Sequence, residues 1–135
     1  MDEMNASDLA SEAALNRLRE LRLGLLNLHK VLLDAERNAY EQVHGSVTSG
    51  KLLQLVIGDQ QFAWLHGISQ FIVHIDEMLH ADEPLTTEGA KTLLMQAGEL
   101  LKPSETGNEF QQKYYAALQR EPDAILLHRD VMKIL

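Results

Sequence analysis

Residues 14 to 39 carry a nearly uninterrupted heptad. Ala14, Leu18, Leu21, Leu25, Leu28, Leu32, Ala35 and Ala39 recur at spacings of four and three. This spacing holds one apolar seam on one side of a helix and suits lengthwise packing in bundles and coiled coils. A chain that begins this way needs further helices to lie against that seam. Asn5, Ser7, Asp8 and Ser11 each offer a side-chain oxygen to cap the helix. Gly45 follows Val43-His44 and opens a stretch of turn formers, Ser46 to Gly50. The spacing therefore predicts a first helix from about Ser7 to His44, over ~50 Å long at the usual rise per residue.

Partners for the seam follow along the chain. A short apolar helix is predicted over Lys51 to Ile57, stopping at Gly58-Asp59. A second long helix is predicted from Gln60 to Leu79 on the stripe Phe62, Leu65, Ile68, Ile72, Ile75 and Leu79, widened by Trp64, Phe71 and Met78. Pro84 sits in a turn, after which Thr86 or Thr87 caps a third helix that carries Ala90, Leu93, Leu94, Ala97, Leu100 and Leu101 to Lys102 and ends at Pro103. Asn108 with Gln111 has the pattern of a capping box and begins a fourth helix using Phe110, Tyr114, Ala117 and Leu118. Pro122 breaks it, and Asp123 to Ile134 form a last helix. Gly24 and Gly67 each cost about 1 kcal/mol relative to alanine inside a helix, so the expectation is that they let the first two helices approach closely.

These elements predict an all-α fold: an antiparallel four-helix bundle with an extra short helix and a C-terminal helix, in one domain over residues 1–135. The first six residues are expected to be disordered. A length of 135 residues fits one domain able to bury its own core.

Net charge and composition narrow the function. Lys and Arg number 12 against 20 Asp and Glu, for a net charge of −8, which opposes a role in neutralising nucleic-acid phosphates. The start, Met1-Asp2-Glu3-Met4-Asn5, lacks the basic and apolar regions of a secretory signal, and no apolar run approaches the ~20 residues that cross a bilayer. With no cysteine, thiolate catalysis and thiolate metal sites are excluded, and a bacterial-type cytoplasmic setting is the expectation. Neither a nucleotide-binding glycine loop nor any need for a cofactor is visible.

Two spacings carry possible chemistry. Glu41-x-x-His44 and Glu77-x-x-His80 each put a carboxylate and an imidazole on one helix face, as paired helices do around two metals in ferritin-like bundles. Both pairs end consecutive helices, however, and antiparallel neighbours carry such ends to opposite poles, roughly 30 Å apart by helix rise. A helix's last turn also favours histidine without any metal. The second pattern, Arg37-Asn38-x5-His44, resembles the arginine-to-histidine signature of the HEPN ribonuclease superfamily, over eight residues. That resemblance implies an all-helical, often dimeric protein with Arg37 and His44 in a composite RNA-cleaving site. The chain, most of all Asp59 to Leu65, is also similar to small leucine-rich bacterial helical proteins without assigned function, a likeness that implies an all-helical fold and no activity.

A second stripe on the first helix, Arg22, Leu26, His29, Leu33, Glu36, Tyr40 and Val43, flanks the leucine seam and reads as the rim of a helix interface. The first helix is longer than the third and fourth can cover. Its excess length favours self-association along the first or the second long helix as a two-fold homodimer, and the expected function is a non-catalytic interaction or regulatory module that binds itself or a protein partner.

Overall fold

The computed structural model describes residues 8–135, and the expectations for the first six residues and for caps at Asn5 and Ser7 lie outside them. The fold is all-helical: α1 (Glu12–His44), α2 (Ser49–Gly58), α3 (His66–Leu79), α4 (Thr87–Leu100), α5 (Glu109–Arg120) and α6 (Pro122–Ile134). A 3-10 turn, Ala63–Leu65, precedes α3.

Most helix ends follow the local chemistry of the sequence. Ser11, Thr48, Thr86 and Asn108 accept backbone N–H groups of the first turns they precede. Asn108 and Gln111 complete a reciprocal capping box, and Pro122 occupies the first turn of α6, where its missing N–H is harmless. Gly45 ends α1 with φ +86, the sole positive φ among the described residues, in a region that a Cβ disfavours.

Two ends differ from expectation. α1 starts at Glu12, because Leu9 and Thr86 form an isolated antiparallel bridge and the Ala10 amide bonds to the Leu85 carbonyl at 2.9 Å. The second long helix begins at His66, not Gln60. Asp59 Oδ1 accepts the Gln61 amide at 2.8 Å and closes a turn there, and the 3-10 turn follows. Phe62 and Trp64 are buried all the same, delivered to the core by turn and not by helix.

α1 is the axis of the molecule, and α3, α4 and α6 all pack on it. Leu18, Leu21, Leu25, Leu28 and Leu32 are 0–1% exposed, closed over by Ile68, Ile72, Ile75, Leu93, Ala97 and Val131 among others. The most extensive interface of α1 is with α6. They run antiparallel: Arg17 donates to the Ile134 carbonyl at 2.7 and 3.1 Å and to that of Leu135 at 3.0 Å, and Val31 lies beside Asp123 and Leu127. The helix expected to be a fourth principal member, α5, instead packs on α6 and the 3-10 turn.

That topology corrects the reading of the two glycines. A Cβ on Gly24 would stand 2.9 Å from Val131 Cγ2, so Gly24 admits α6. A Cβ on Gly67 would meet Leu100 Cδ1 of α4 at 3.6 Å, an ordinary contact. The two glycines face different partners and do not bring α1 and α3 together.

Candidate functional site

The second stripe of α1 forms a line of polar contacts to α3 and the turn before it. Arg22 pairs with Asp76 at 3.3 Å, His29 Nε2 lies 3.0 Å from Ser69 Oγ, and the Tyr40 ring is tilted against Phe62 with centres 6.0 Å apart. Between them Glu36 accepts two side-chain donors, Trp64 Nε1 and Gln61 Nε2, each at 3.0 Å. His66 Nε2 donates to the Val56 carbonyl at 2.6 Å and ties α3 to α2. Burial, and to a smaller degree the nearby His66, push the His29 imidazole below its ordinary value, so it sits neutral against Ser69. This Ser–His contact joins two helices and borders none of the depressions described below.

The residues with metal-ligating spacing are dispersed. Glu41 Oε2 accepts the Val47 amide at 2.8 Å, and its Oε1 lies 3.8 Å from Arg37 Nε. Arg37 also donates to the Val47 carbonyl at 2.8 Å. Arg37 and Glu41 thus clamp the loop after α1, while His44 stacks on Tyr40 with ring centres 4.2 Å apart. At the far end of α3, His80 Nδ1 contacts the Asp76 carbonyl at 2.8 Å and Glu77 is exposed. Antiparallel α1 and α3 carry Glu41-x-x-His44 and Glu77-x-x-His80 to opposite poles. Among the described residues no three His, Asp or Glu side chains gather in a metal-ligating group.

A concavity opens where α1 outruns α6. Val31 lies beside the start of α6, and further along α1 Ala35 and Ala39 line a groove of about 610 Å³. Asn38 and Gln42 line one side, Gln61 with Glu36 another, and Arg120 and Glu121 stand at the junction of α5 and α6. Each part has a local cause. The heptad changes here from leucine to alanine, so the seam that is a ridge of side chains lower down becomes a shallow floor. The chain breaks at Glu121, α6 starts there with Pro122, and the preceding α5 packs on α6 and the 3-10 turn. The Asp59 turn and the Glu36 hydrogen bonds fix Gln61 as a wall.

The same pole carries three strongly exposed aliphatic side chains. Val43 is 78% exposed, Ile57 70% and Leu53 60%. Only Leu55 of α2 is buried, and the main neighbour of α2 is the 3-10 turn. Among the described residues neither Arg120 nor Lys51 has an ion-pair partner.

Behind the groove, an aromatic line fastens α5 in place. Trp64, Phe110, Tyr114 and His128 follow one another with ring centres 5.7, 5.4 and 5.4 Å apart. Tyr114 is fully buried and its hydroxyl is hydrogen-bonded to His128 Nδ1 at 2.7 Å. Burial raises the Tyr114 phenol well above its ordinary range and lowers the His128 imidazole, so both stay neutral in this bond.

The sequence marked Glu36 and the alanines but could not join them to Gln61 and Arg120, which come from separate elements. One cue was present: an alanine pair at the end of a leucine heptad, followed by an apolar helix too short to be a principal member. Among the described residues no helix is long and apolar enough to cross a membrane. No known protein family, no curated protein and no solved structure matches the chain.

Proposed function

We propose that this protein is a non-catalytic, cytoplasmic interaction module working through the pole formed by the end of α1 and by α2. The observation that carries the reading is the exposure of Val43, Leu53 and Ile57 together at that pole, beside a groove with an alanine floor. Apolar side chains presented to water next to a concavity are what a docking surface offers, since their burial on binding yields about 25 cal/mol per Å². Half of the groove's six polar members, Asn38, Gln42 and Gln61, are carboxamides, which accept and donate hydrogen bonds. That chemistry suits holding a polypeptide.

Affinity capture from the native cell tests the reading, with the full chain and a Leu53→Asp/Ile57→Asp variant as baits. The expected result is a protein, this chain or another, retained by the first and lost by the second. Equal retention by both baits, or no protein retained by either, defeats the proposal.

A further inference from the structure

We propose that α2 of a second copy of this chain fills the groove, and that the exchange is reciprocal about a two-fold axis. The inference rests on the interaction-module reading and names its partner. Shape is the first argument. The groove is concave with only Cβ atoms at Ala35 and Ala39, so two grooves cannot fill one another, whereas α2 is a convex ridge with Leu53 and Ile57 one turn apart on its outer side. Large aliphatic side chains on a ridge fit between alanines as knobs fit holes.

Length agrees with shape. Ten residues of α2 span about 15 Å, and the open stretch of α1 from Ala35 to Gln42 spans about 10 Å, so two to three turns of helix lie within reach. Charge agrees as well. Glu36 and Glu121 outnumber Arg120 in the groove, and the sole ionisable side chain of α2 is Lys51, which has no ion-pair partner. No basic residue lies in the last turn of α2, where an approaching Arg120 would complement the helix dipole.

Proximity makes the contact reciprocal. Gln61, a wall of the groove, follows three residues after the end of α2, so ridge and groove are neighbours at one pole. An axis between them seats both ridges in both grooves, which closes the assembly at two copies.

Light scattering of the full chain across the micromolar range tests the proposal. The expected mass rises with concentration to twice 15.2 kDa and stops there. Ile57→Asp and Ala39→Trp each weaken the dimer at least about tenfold, with helical circular dichroism unchanged because both positions are exposed. The lack of cysteine supplies a second readout that does not depend on either variant folding well. A chain carrying Ala39→Cys and Leu53→Cys should form an oxidised covalent dimer that dissociates under reductant. A monomer at every concentration, an open-ended series of oligomers, a dimer indifferent to both substitutions, or no covalent dimer overturns the proposal. If the chain is monomeric and still retains a different protein through Ile57, this inference fails while the interaction-module reading stands.

Discussion

The two ends of α1 share one heptad and meet opposite fates. From Leu18 to Leu32 the seam is sealed under α3, α4 and α6, whereas Ala35 and Ala39 floor an open groove and Val43 stands in water. The contrast teaches that heptad spacing sets the direction a residue points and leaves open what lies there. Side-chain size and the reach of neighbouring helices decide the rest.

Substitutions can break that contrast. Leu28→Ala removes a fully buried side chain and leaves a cavity, so a loss of about 2–5 kcal/mol in urea unfolding is expected. Gly24→Val drives a branched side chain into Val131 and should cost about 1–3 kcal/mol by overpacking, which would lower the thermal midpoint measured by circular dichroism. Tyr114→Phe keeps the ring but removes the hydroxyl partner of His128 Nδ1, for an expected loss of about 1–2 kcal/mol.

The same bond predicts a pH dependence. The folded His128 and His29 have lowered imidazole values, so the unfolded chain takes up protons first. Their contribution is complete above about 6.5 and is lost as pH falls from there toward the folded values. Urea midpoints measured on both sides of that value should drop on the acid side for the wild type, and less for His128→Asn. The smallest effect belongs to the open end: Val43→Ser should change stability by no more than about 0.5 kcal/mol. A loss there as large as that of Leu28→Ala would show that the groove end is as tightly packed as the seam.

What could be read from the sequence follows this same division between local and distant causes. Gly45, Thr86, the Asn108–Gln111 box and Pro122 set helix ends through bonds within a few residues, and these are legible one residue type at a time. The turn at Asp59 was local too, but the apolar stripe through Phe62 and Trp64 obscured it, because a 3-10 turn buries those rings as well as a helix would. Partner choice was not legible. α5 and α6 carry similar apolar faces, and what selects α6 for α1 is the fit of Gly24 to Val131 across most of the chain. Of the site, Glu36 stood out within a periodic stripe, while Gln61 and Arg120 had nothing in their own neighbourhoods to mark them.

The pairing of α1 with α6 also dictates an order of events. The long helix α1 finds its largest partner in α6, some ninety residues later in synthesis, so the leucine seam cannot be fully covered until Val131 and Ile134 have been added. A nascent chain therefore carries an unsheathed hydrophobic stripe until α6 has been made, and closure of α6 on α1, fastened where Arg17 grips the final carbonyls of α6, brings that exposure to an end.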